Sequence, residues 1–106
     1  MIKFGPSGNS ESFANEKHKS TEEAALWCKE RGLDCYEYSF GRGVNLGEEK
    51  AISIGNAFKN AGLDLSVHAP YFINFATPEE EKAENSYNYI LSSAKMMKLM
   101  QGNRII

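Results

Sequence analysis

The amino-acid sequence predicts an α/β fold of parallel strands and helices, the N-terminal part (about three and a half β/α units) of a (β/α)8 barrel. Three observations predict it. Short strand-like runs alternate with longer amphipathic segments. Capping boxes and glycines punctuate those segments where helices should begin and end. The second and third strand-like runs are apolar at one parity and polar at the other. An open sheet covered by helices on both faces would make both parities apolar, whereas a barrel with a polar interior explains the alternation.

Ile2 to Phe4 reads as the first strand, closed by Gly5 and Pro6, and a polar loop rich in Ser, Asn and Glu follows up to Lys19. Ser20 and Glu23 form a capping box, after which Ala24, Trp27 and Cys28 share a helical face until Gly32. Cys35 to Phe40 is aromatic-rich and strand-like, ending in Gly41-Arg42-Gly43, a turn that holds the arginine out from the strand. A second helix begins between Asn45 and Glu48, buries Ala51, Ile54, Gly55 and Phe58, and stops at Gly62. Leu65 to His68 is the third strand.

Thr77, Pro78 and Glu80 then supply an N-cap, a proline at the first helical position and a second capping box. In the long helix that follows, Tyr87, Ile90, Leu91, Ala94 and Met97 mark the expected buried face, and Gly102 ends it. Arg104-Ile105-Ile106 opens a fourth strand. The expected organisation is one partial barrel over 1–106, truncated within that strand. A closed barrel needs about 250 residues. The first and fourth strands are therefore expected to be open edges, through which the chain forms a homo-oligomer.

Twelve basic residues against fourteen acidic ones leave a net charge of -2, so no overall positive field draws the chain to phosphate, and any nucleic-acid contact must be local. Cys28 and Cys35 lack metal-ribbon or redox spacing and read as reduced, buried thiols. No run approaches the ~20 apolar residues of a membrane span, and there is no basic-then-apolar leader, so a cytoplasmic location without membrane partners is expected.

His68 stands at the C-terminal end of a strand, where barrels place their chemistry, and shares its inward parity with Ser66. A neutral imidazole there suits a metal, or is simply hydrogen-bonded within the loop, and one histidine cannot hold a zinc ion. His18 has no spacing relation to it and reads as solvent-exposed. Tyr71, Phe72, Ile73 and Phe75 surround Asn74 in the loop after His68, either as a cap on the rim or as a wedge that unstacks bases. Arg42 at the same rim suits a phosphate or a minor groove, or is simply solvated. Lys3 and Glu37 have inward parity and are expected to pair. Glu79-Glu80-Glu81 complements a helix dipole instead of forming a metal cluster. The glycines contain no phosphate-loop pattern.

Three segments carry a resemblance: Lys3-Phe4-Gly5-Pro6-Ser7-Gly8, Tyr36 to Gly43, and above all Val67-His68-Ala69-Pro70-Tyr71-Phe72-Ile73-Asn74. Together they resemble the endonuclease IV family of AP endonucleases, built on a xylose isomerase-like TIM barrel. The resemblance runs through the whole chain. It implies a zinc-dependent enzyme that hydrolyses duplex DNA 5′ to abasic sites in base excision repair. His68 would then be the first histidine of the zinc site, and Arg42, Tyr71 and Phe72 would contact DNA. In that family Arg104-Ile105-Ile106 would run into Phe-His-Pro-Gly, whose histidine is the next ligand. Pro6 and Ser7 stand where some members carry a further histidine. The expectation is an inactive fragment of such an enzyme, with no catalytic residue assigned within it. The competing expectations are a sugar isomerase or epimerase barrel and a non-catalytic, self-associating half-barrel.

Overall fold

The computed structural model describes residues 1–106. Its two regular strands, β1 (Cys35–Ser39) and β2 (Asp64–His68), run parallel with Glu37 opposite Ser66 and Ser39 opposite His68. Helices α2 (Thr21–Glu30), α3 (Glu48–Ala61) and α4 (Glu80–Leu99) supply the crossovers. A short helix, α1 (Glu11–Asn15), lies within the expected N-terminal loop, where the Ser10 hydroxyl accepts the Phe13 N–H at 3.1 Å and Phe13 is buried. A single apolar anchor in a polar stretch gives no period, which is why this helix is not visible in the sequence.

The expected first strand is corrected to an extended segment beside β1. The Asp34 N–H donates to the Phe4 carbonyl at 2.8 Å, the Glu37 N–H to that of Pro6 at 3.0 Å, and the Gly8 N–H to that of Glu37 at 2.9 Å. Pro6 has no N–H to return, so only an isolated parallel bridge, Ser7 to Glu37, is completed. At the opposite edge the Val67 N–H donates to Arg104 and the Ile106 N–H to Val67, both at 2.9 Å. The fourth segment is therefore aligned parallel to β2, as a barrel requires.

The core lies between this sheet and the helices. Tyr36, Leu65 and Val67 face Trp27, Cys28, Ile54 and Phe58, with the Tyr36 and Phe58 rings 4.7 Å apart. Burying a side chain such as Phe58 contributes roughly 1.5–3 kcal/mol. The opposite parity of the strands, Glu37, Ser39, Ser66 and His68, turns away from this core. Lys50 bonds Glu22 between α2 and α3, and Lys95 bonds Glu48 between α3 and α4, each at 2.8 Å. Exposed pairs of this kind contribute at most about 1 kcal/mol each.

Helix α2 follows expectation: Ser20 and Glu23 close its capping box, and Ala24, Trp27 and Cys28 are buried. Helix α3 does too, burying Ala51, Ile54, Gly55 and Phe58 and ending at Gly62 in the left-handed region, φ 75°. Helix α4 departs in two ways. The Thr77 hydroxyl accepts the Glu79 N–H at 3.3 Å, so no second capping box forms, and the helix starts at Glu80 with Glu79 as its uncapped N-cap. Its buried line is Ser86 and Ser93, continued by the C-cap Met100, while Tyr87 and Leu91 are 56% and 51% exposed. The rotation follows from Ser86, whose hydroxyl accepts the Asn74 N–H at 2.9 Å and donates to the Asn74 carbonyl at 3.3 Å. That bond turns the Ser86 line inward and carries the Tyr87 line outward.

Candidate functional site at the C-terminal rim

His68 is half-buried at the last position of β2. Its Nδ1 lies 2.7 Å from the Ala69 carbonyl oxygen. A carbonyl oxygen only accepts, so Nδ1 carries a proton, and in the neutral ring Nε2 is the nitrogen that keeps its lone pair. That is the arrangement found in metal-binding histidines, which donate their second ring N–H to a backbone carbonyl or carboxylate.

The two loops that leave the strands beside it are joined to one another. The Phe40 N–H donates to the His68 carbonyl at 3.0 Å, and the Tyr71 N–H to that of Gly41 at 3.2 Å. Gly41 adopts φ 57°, which the turn into Arg42 requires and which side chains other than glycine rarely accept. The exposed Arg42 is thereby held on the same rim as the Tyr71-Phe72 loop. Tyr71 is 66% exposed and Phe72 40% exposed, with their rings edge to face at 5.6 Å. Phe72 also packs edge-on against Tyr89 of α4 at 4.8 Å, while Phe75 stays exposed. Phe72 thus leans on the helix as a cap on the rim would, and Tyr71 stands free.

Other expected features are placed differently. Lys3 does not meet Glu37; it pairs with Asp64 at 2.5 Å, while Glu37 accepts from the Ser7 hydroxyl at 2.8 Å. Parity put Lys3 on the correct face, but the ammonium at the end of its long stem crosses β1 to reach the β2 carboxylate. His18 is not simply exposed. It is half-buried, stacked on the Phe13 ring at 5.0 Å, with Glu23 at 3.8 Å and Glu16 at 4.0 Å, because α1 brings Phe13 beneath it. Cys28 is buried as expected and Cys35 only half-buried, and both are free. Burial pushes both thiols up from their ordinary range, which disfavours the thiolate a metal would need. No three His, Cys, Asp or Glu side chains are arranged to hold a metal ion, so His68 offers one ligand and the remaining donors do not complete a metal site here.

The family described as xylose isomerase-like TIM barrel matches residues 25–106, which takes in β1, α3, β2, α4 and the whole rim. The chain belongs to this family. The order of its parallel segments and the polar parity turned from the helices are therefore those of an opening barrel. An uncharacterized protein of Methanocaldococcus jannaschii is 33% identical over 99 residues, covering 92% of this chain. The chain spans 33% of that relative's length. No helix is long and apolar enough to cross a membrane.

Proposed function

We propose that this chain is the opening part of a zinc-dependent AP endonuclease of the endonuclease IV type, which hydrolyses the DNA phosphodiester 5′ to an abasic site. The observation that carries the reading is the His68 imidazole, held with Nε2 free on the polar parity beside two exposed loops bonded to each other. His68 supplies one zinc ligand. Zinc, when bound, supplies a hydroxide nucleophile and neutralises charge on phosphate oxygens.

This chain's own residues do the positioning. Ala69 fixes the His68 tautomer. Arg42, on its glycine turn, meets a phosphate as a planar, permanently charged fork. Tyr71, the more exposed ring, enters the gap left by the missing base, where unstacking costs least. Phe72, braced on Tyr89, supports Tyr71 from behind. The net charge of -2 agrees with affinity confined to this rim.

The test is cleavage of a duplex with one tetrahydrofuran abasic analogue by the full gene product that carries this chain. We expect incision beside the lesion, its loss on chelation with recovery on adding zinc, and at least a hundredfold loss with His68→Ala. Incision that survives both chelation and His68→Ala overturns the proposal. The 106-residue chain with zinc is expected to cut nothing, since it brings together no three ligands. A sugar isomerase or epimerase is the second reading, favoured by the family description itself. Zinc-dependent turnover of a ketose or aldose without DNA cleavage selects it.

A further inference from the structure

Behind the rim loop, on the side facing α4, lies a cleft of about 390 Å³ that shares Phe72 and Tyr89 with the proposed DNA contacts and otherwise has no part in the proposed reaction. Its walls are the Phe72 and Tyr89 rings, perpendicular to one another at 82°, and its polar groups come from Asn74, Lys82, Asn85 and Ser86. Ser86 is buried and spends its hydroxyl on the Asn74 backbone, and the Asn74 Oδ1 accepts the Ala76 N–H at 2.9 Å. The Ser86 bonds tie the rim loop to α4. Together the bonds leave the Asn74 amide nitrogen, both ends of the exposed Asn85 amide and the Tyr89 hydroxyl without protein partners. Lys82 lies at the edge of the cleft and reaches only the exposed Glu79, at 2.8 Å.

We infer that this cleft is a subsite for one unpaired nucleobase, stacked on the Tyr89 ring with Phe72 meeting it edge-on and read by the Asn85 amide, with Lys82 toward its phosphate. The inference rests on the nucleic-acid reading of the rim and extends it to a nucleotide beyond the reacting one. The residue types match the ligand. A base needs an aromatic face for stacking, an amide that both donates and accepts for its edge, and a cation for its phosphate. A purely apolar ligand would leave those amides unpaired, and a sugar phosphate lacks the planar edge that an amide reads. Because Phe72 follows Tyr71 directly, a strand held at Tyr71 has its neighbouring nucleotide within reach of the cleft.

The experiment is a ¹H–¹⁵N titration of the 106-residue chain with deoxyadenosine monophosphate, set against deoxyribose 5-phosphate, which is the same ligand without its base. We expect the Asn85, Ser86 and Tyr89 amide signals to move with the nucleotide and to stay in place with the sugar phosphate. Tyr89→Ala should weaken nucleotide binding roughly fivefold or more, as expected when a stacking ring is removed. Asn85→Ala, which touches no packed group, should weaken it while leaving the rest of the spectrum unchanged. Equal movement with both ligands makes the cleft a phosphate or sugar site and overturns the inference, as does movement confined to Tyr71 and His68. The outcome is independent of incision at abasic sites, so the cleft and the reaction can fail separately.

Discussion

Glu23 shows how much one side chain can carry. Its carboxylate accepts the Ser20 and Lys19 N–H groups, each at 2.9 Å, and the Ser20 hydroxyl at 3.2 Å. These bonds, with that to Ser20 the strongest, lower its pKa from 4.5 to about 2. A carboxyl depressed in the folded state adds stability that is fully present above its unfolded pKa and disappears as pH falls through its folded one. Glu23 should therefore stabilise the fold at neutral pH and lose that contribution between pH 4.5 and about 2. Glu23→Gln should lower the urea midpoint at pH 7, and the gap to the parent chain should close by pH 2. A gap that persists at pH 2 would show that the capping box does not act through its charge. The box itself was legible, since a serine followed three residues later by a glutamate before an apolar face is a local pattern. The Phe13–His18 stack was not, because it depends on where a short helix brings a ring.

Among the elements, α3 and α4 meet at Gly55. A Cβ placed there would lie 2.5 Å from the Met100 carbonyl oxygen and 2.7 Å from its Cα, both backbone atoms that cannot swing aside. Two effects oppose each other in Gly55→Ala. Alanine in a helix interior gains about 1 kcal/mol over glycine. Forcing backbone apart in a packed core costs roughly 1–3 kcal/mol. The contact should win, so Gly55→Ala is expected to lower the thermal midpoint despite its better helix propensity, and a raised midpoint would mean that α4 moves away freely. At Gly47, the N-cap of α3, a Cβ meets nothing within 4 Å, so the same change should cost only the weaker capping of alanine, about 1 kcal/mol or less. The buried face of α3 could be read from its period alone. That of α4 could not: Tyr87 and Leu91 satisfy a helical stripe as well as Tyr89 and Met96 do, and the Ser86–Asn74 bond decides which stripe turns inward.

For the whole molecule, the outermost segments of the sheet carry exposed apolar side chains, Ile2 at 77%, Phe4 at 67% and Ile106 at 56%. Exposed strand edges with apolar neighbours recruit further strands. The 106-residue chain by itself should accordingly sediment above its 11.8 kDa monomer mass at micromolar concentration. A sharp monomer boundary would show that the edges are silent. The sequence by itself determined the alternation of strands and helices, the helix starts marked by local caps at α2 and the polar parity of β1 and β2. It also determined the position of His68 at a strand end, because each of these is written within a few neighbouring residues. Only the tertiary structure decided the His68 tautomer, the bond from Tyr71 to Gly41 that joins the two loops, the partner of Lys3 and the cleft between Phe72 and Tyr89. Each of those joins residues on separate elements or turns on a backbone carbonyl, and a periodicity along one chain carries no information about distances between its parts.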